Sequence, residues 1–218
     1  MASSHQQPKP DSRKYSDLIN DIEKGIIKIP KFQREFVWPI DKTAALLDSI
    51  VKGYPIGTFI LWRTDHRMSD VRDIGNIELP ATPRDRLVEY VLDGQQRMTS
   101  LFAAYKGAQI QRAGQKKTTD YSQIFVNLEQ YLSDDGQIVT TDPPEENAKL
   151  VPLGDVMRLS RKITNRMFSE GFTDKEIDLA DQFRQAFTTY DFSLITLTRE
   201  DIDSAIEVLL ASTQVAPC

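Results

Sequence analysis

Two short stretches concentrate enough hydrogen-bonding capacity to do chemistry: Gln33-Arg34, within Ile29-Pro30-Lys31-Phe32-Gln33-Arg34, and Asp93-Gly94-Gln95-Gln96-Arg97. The second stands where an apolar run, Leu87 to Leu92, gives way to helical spacing at Met98, Leu101, Phe102 and Tyr105. A glycine turn that opens a helix leaves backbone N–H groups unpaired at the positive end of the helix dipole, and such an end attracts phosphate. Arg97 in the first helical turn would add a charged, forked donor. Gln33-Arg34 would form a second wall if the fold brings the stretches together. Phosphate recognition is the chemistry this pattern suits, and a nucleotide is the expected ligand. Each stretch also has a plainer explanation. Asp93 could simply cap the helix with Gly94 in the turn, and Gln33-Arg34 could serve a surface ion pair with Glu35 or Asp41. Two amides and a guanidinium at one helix start exceed what capping requires. The aromatic residues nearby, Phe32, Phe36 and Trp38, read as packing residues rather than as a stacking platform for bases.

Few other residues offer chemistry. His66 is the only histidine beyond His5, so no serine–histidine–acid set is supportable, and its loop setting predicts exposure. Asp134, Asp135, Asp142, Glu145 and Glu146 could gather Mg²⁺, but carboxylate-rich turns are commonly just solvated; Asp93 beside bound phosphates is the better metal ligand. A net charge of −5 argues against a nucleic-acid cushion over the whole surface. Local basic runs, Arg112 with Lys116 and Lys117, and Arg158, Arg161, Lys162 with Arg166, read as solvated faces. The single cysteine, Cys218, permits no internal disulfide and no cysteine-rich zinc site. No apolar run approaches the roughly 20 residues that span a bilayer, and residues 1–10 lack the apolar centre of a secretory signal, so a cytoplasmic protein is expected.

The elements that must position these residues follow from spacing and punctuation. Residues 1–12 read as a disordered leader. A helix is predicted over 16–24, ended by Gly25, then a strand over 26–29. Asp41 is the expected N-cap of a second helix striped by Leu46, Leu47, Ile50 and Val51 and closed by Gly53. Strands are predicted over 58–62, 87–92, 124–128, 137–140 and 192–197, with a polar excursion over 63–86, a turn at 133–136 and a linker-like loop over 141–147. Helices are predicted over 155–169, 173–188 and 201–211, the second opened by a capping box of Thr173 and Glu176. This order indicates a mixed α+β (α/β) fold: a core over 13–140 and a helical extension over 141–218.

In Ile29-Pro30-Lys31-Phe32-Gln33-Arg34 with Val37-Trp38, Leu46-Leu47-Asp48-Ser49-Ile50, Gly53-Tyr54-Pro55-Ile56-Gly57 and Leu92-Asp93-Gly94-Gln95-Gln96-Arg97 with Thr99-Ser100-Leu101, the chain resembles one known family. This is the N-terminal domain of GmrSD-type modification-dependent restriction endonucleases, a branch of the ParB/sulfiredoxin-like superfamily. Several linked motifs in order are far more specific than one, and the likeness runs from Tyr15 to Val208. It implies a ParB-like core that binds, and hydrolyses, a nucleoside triphosphate with Mg²⁺ inside a bacterial system restricting phage DNA with modified bases. The turn at Asp93 to Arg97 would be the nucleotide signature, and Arg34 would face the same phosphates. Cutting would belong to an HNH-type nuclease domain or subunit, through which DNA is met. After Ile206-Glu207-Val208 the sequence departs from the family's usual continuation, which predicts a chain shortened relative to the family and puts turnover in question more than fold.

The expected roles are therefore catalysis by Asp93 and Arg97, nucleotide contacts from Gln33, Arg34, Gly94, Gln95, Gln96 and Arg97, and Mg²⁺ held at Asp93. Two alternatives compete: a non-hydrolysing regulatory module that binds nucleotide or DNA, and a ParB-like DNA nickase. The acidic balance weighs against the nickase.

Overall fold

A computed structural model of the chain describes residues 10–69, 71–72, 74, 77–111, 116–133, 136–141 and 149–203. The first elements are β1 (Pro10–Lys14), α1 (Tyr15–Glu23), β2 (Ile27–Pro30), α2 (Ile40–Val51), β3 (Phe59–Thr64) and β4 (Val71–Arg72). Next come β5 (Val88–Asp93), α3 (Gln95–Lys106), β6 (Gln109–Gln111), β7 (Thr118–Asp120), β8 (Phe125–Asn127) and α4 (Leu128–Ser133). The chain continues through β9 (Val139–Thr140), β10 (Leu150–Pro152), α5 (Leu153–Met157), α6 (Arg161–Ser169), α7 (Asp174–Thr188) and β11 (Asp191–Leu197). The fold is mixed α/β, as its alternation of elements implies.

The main sheet has the order β1-β11-β3-β5-β2-β4. Its pairings are mixed: β11 with β3 and β2 with β5 are parallel, whereas β1 with β11, β3 with β5 and β2 with β4 are antiparallel. A three-stranded sheet β10-β8-β9 and the β6-β7 pair complete the strands described.

Several boundaries differ from the sequence expectation. Residues 10–12, read as leader, belong to β1, whose polar side chains hide a strand held by its ladder to β11. Residues 1–9 lie outside the described residues. The N-cap of α2 is Pro39, and Asp41 sits in the first turn, where its carboxylate accepts a hydrogen bond from Thr141. The helix expected over 155–169 is two, α5 and α6, broken after Met157. The capping box of α7 is formed: Thr173 N–H donates to Glu176 Oε2 at 2.6 Å.

The sheet takes strands from both sides of the boundary expected at residue 140, because β11 lies between β1 and β3. Helix α7 packs against α1, α2, α4, α5 and α6. One core runs through the described residues, with Tyr15, Phe59, Phe183, Phe187 and Phe192 among its largest buried members. Tyr15 ties its parts together: its ring meets Phe187 edge-on at 4.5 Å, and its hydroxyl donates to the Leu101 carbonyl at 3.2 Å.

Candidate functional site

Strands β2 and β5 run parallel, with Ile27 beside Glu89 and Lys28 beside Tyr90, so their C-terminal ends lie at one end of the sheet. That shared direction is why the two polar stretches meet. After β2 the chain turns over Pro30–Gln33, closed by Gln33 N–H donating to the Pro30 carbonyl at 3.1 Å. After β5 it turns at Gly94, whose φ of 89° is open to glycine and strained for other residues, and α3 begins. Strand β3 is antiparallel to β5, so its lead-in, Ile56-Gly57-Thr58, arrives at the same place. Crevices beyond strand C-termini are where α/β sheets bind ligands.

All the residues expected at the site border one concavity of about 130 Å³, joined there by Trp38. They divide into two kinds. Gln33, Gln96 and Arg97 are braces. Gln33 Nε2 donates to the Leu92 carbonyl at 2.9 Å, pinning the turn to the end of β5. Gln96 Oε1 accepts from Val37 N–H at 2.9 Å, while its Nε2 donates to the Glu35 carbonyl at 2.9 Å and to Gln95 Oε1 at 3.0 Å. Arg97 donates from Nη1 to the Ile56 carbonyl at 2.6 Å and from Nη2 to the Thr58 carbonyl at 2.9 Å, above the Phe59 ring at 4.9 Å. Two of the five N–H groups of Arg97 are thus committed to the approach to β3. Gly57 makes room for the guanidinium, because a Cβ there would stand 2.7 Å from Arg97 Nη1.

The other kind is unspent. Backbone partners fix which end of the Gln96 amide is oxygen, so Gln95 must present its own oxygen to Gln96. Gln95 Nε2 then has no partner among the described residues, although the residue is only 6% exposed. Arg34 is exposed and makes no ion pair or hydrogen bond among the described residues, so the surface-bridge explanation does not hold for it. No side chain caps the start of α3, and its first residues border the concavity, so N–H groups without a side-chain cap stand at its edge. Asp93 ends β5 instead of capping α3; its carboxylate is 67% exposed, with Oδ2 3.3 Å from Arg97 Nη2. The result is a corner rich in donors with one carboxylate at its lip, an arrangement that holds anionic oxygens.

Two features were not read from the sequence. Trp38 lines the concavity, with Lys42 Nζ 4.2 Å from its ring centroid. Phe36 and Trp38 pack as expected, but Phe32 does not: it is 68% exposed. His66 is exposed, as its loop position suggested. Among the described residues no group of three or more histidine, cysteine, aspartate or glutamate side chains could hold a metal. The acidic positions 134, 135, 142, 145 and 146 lie outside those residues. Among the described residues no helix is long and apolar enough to cross a membrane.

Comparison with known proteins agrees with the motifs. Over residues 15–209 the chain matches the family model described as GmrSD restriction endonuclease, N-terminal domain. It is also 30% identical over 130 residues to an uncharacterised protein of Methanocaldococcus jannaschii, an alignment taking in 57% of this chain and 22% of that protein. The chain thus spans less than a quarter of that relative's length. Because the family match runs over most of the sequence and contains both polar stretches that build the concavity, the chain belongs to the family of GmrSD restriction endonuclease N-terminal domains.

Proposed function

We propose that this domain binds the phosphates of a nucleoside triphosphate at the α3 corner and hydrolyses it, regulating DNA cleavage by a nuclease part in a separate domain or subunit of a bacterial modification-dependent restriction system. One observation carries the reading: an unpaired guanidinium on Arg34, an unpaired and nearly buried amide on Gln95 and an uncapped helix start all border one concavity.

In this reading Arg34, Gln95 Nε2 and the first N–H groups of α3 take the phosphate oxygens, and Arg34 offsets charge on the transferring phosphoryl group. Asp93, at the lip, orients a water for attack on the terminal phosphorus. The bond to the bridging oxygen breaks, leaving nucleoside diphosphate and inorganic phosphate. Mg²⁺ commonly binds through one or two carboxylates plus substrate phosphates, so the single carboxylate of Asp93 fits the ion that accompanies a triphosphate, where it would neutralise charge. Gln33, Gln96 and Arg97 act by holding the two corners in place.

Among the described residues Asp93 is the only carboxylate on the concavity, and this favours a second reading in which binding alone switches the nuclease partner. A titration with each of the four ribonucleoside triphosphates and Mg²⁺, following both heat and phosphate release, separates the two. Turnover with at least one of them supports the enzyme, binding without release supports the switch, and neither removes both. Asp93→Asn should lower hydrolysis about ten-fold or more while changing affinity little; equal losses in rate and affinity would strip Asp93 of its catalytic part.

A further inference from the structure

We propose that Phe32 is the platform on which the nucleobase stacks, so that the site selects nucleotides over inorganic polyphosphate and tolerates different bases. The inference rests on the phosphate-binding reading above and extends it to the other end of the ligand.

The concavity holds about 130 Å³, well below the ~300–1,000 Å³ of pockets that enclose a whole small ligand. It suits phosphoryl groups, so sugar and base must lie outside, against the rim. Phe32 is the most exposed large apolar side chain of the described residues, at 68%. A lone exposed apolar residue needs no explanation by itself, but the setting of this one is unusual. Its turn is closed by Gln33 N–H to the Pro30 carbonyl and pinned by Gln33 Nε2 to the Leu92 carbonyl. Phe36, four residues on, packs against Tyr121 and the core. The backbone beside Phe32 is therefore braced while its ring stays in solvent. Along the turn Phe32 is exposed, Gln33 is turned inward onto β5, and Arg34 is exposed again and unpaired. Phe32 does not itself line the hollow but directly precedes Gln33 and Arg34, which do, so an aromatic face and a free cation leave one braced turn, as base and phosphate of one ligand require. A phenyl ring has no donor or acceptor to read a base edge, and stacking is sequence-tolerant because every base has a π-face.

The test is calorimetric titration of wild type, Phe32→Ala, Phe32→Trp and the distant control Phe168→Ala with a nucleoside triphosphate and with inorganic tripolyphosphate, both with Mg²⁺. Wild type should prefer the nucleotide. Phe32→Ala should weaken nucleotide binding about ten-fold and leave tripolyphosphate binding unchanged. Phe32→Trp should restore nucleotide affinity, and Phe168→Ala should match wild type. A Phe32→Ala protein that binds both ligands like wild type, or weakens on both alike, overturns the stacking role. Wild type that binds tripolyphosphate as tightly as nucleotide overturns it too and leaves the phosphate site standing; wild type that binds neither overturns both.

Discussion

Within Gln33-Arg34 and Asp93-Gly94-Gln95-Gln96-Arg97, side chains of similar chemistry have opposite duties, and partners decide which. Arg97 and Arg34 are both guanidinium groups beside one hollow, yet Arg97 is bound to the Ile56 and Thr58 carbonyls while Arg34 has no partner among the described residues. Arg97→Ala should therefore lower stability by about 2 kcal/mol, since hydrogen bonds to a charged donor contribute roughly 1.5–3 kcal/mol and their loss strands the carbonyls. Chemical denaturation reads this directly, and an unchanged midpoint would show that the bonds to Ile56 and Thr58 contribute nothing. Arg34→Ala should stay within about 0.5 kcal/mol of wild type, as exposed substitutions without partners do. The motif as a patch of hydrogen-bonding capacity was legible in the sequence. Its division into braces and free donors was not, because that depends on which backbone carbonyls the fold delivers to each side chain.

At the scale of elements, legibility followed locality. The capping box of α7 and the glycines ending α1 and α2 are short-range signals, and the structure has them where the spacing put them. Strand β1 was missed because Pro10–Lys14 shows no apolar alternation; its stability comes from β11, far along the chain. The break between α5 and α6 has one local signal, Ser160 as the N-cap of α6, which the run of helix-compatible residues around it obscures. The parallel pairing of β2 with β5, which makes the site, left no local trace at all. Two substitutions probe these elements. Gly94→Ala forces an alanine to a φ of 89° and sets its Cβ 2.5 Å from Phe59 Cδ1, so a loss of about 2 kcal/mol or more is expected from strain and clash together. A variant as stable as wild type would mean that the turn into α3 is free to rearrange. Thr173→Ala should cost about 1 kcal/mol by removing the cap of α7, seen as a lower melting temperature; no shift would show that tertiary packing alone holds that helix start.

At the scale of the whole molecule, one ion-pair network fastens the N-terminal strand to the sheet. Glu89 is buried near the start of β5, where Arg13 of β1 grips it at 2.7 and 3.2 Å and Arg63 of β3 donates to it at 2.7 and 2.9 Å. Burial pushes the Glu89 carboxyl upward, but the hydrogen bonds and charge of Arg13, then of Arg63, outweigh it and hold the group below its ordinary 4.5. A carboxylate lowered in this way contributes its stability in full above the unfolded value, and the contribution is lost as pH falls through the folded one. Asp21 is shifted upward, by burial against the pull of Arg13, and acts in the opposite sense. Comparing wild type with Glu89→Gln isolates the Glu89 share. The variant should be less stable by about 2 kcal/mol at neutral pH, because the mostly buried Arg13 is left with Asp21 alone and the half-exposed Arg63 loses its carboxylate, and the gap should narrow below pH 4.5. A gap independent of pH would place its origin in packing.

The donor corner formed where β2 and β5 end is the feature on which the functional reading depends. Its most direct measurement is titration of wild type and Arg34→Ala with nucleoside triphosphate and Mg²⁺, paired with denaturation of both proteins. Wild type should bind, and Arg34→Ala should lose affinity about ten-fold or more with its stability unchanged. Equal affinity in the two proteins, or no binding by wild type, would contradict it.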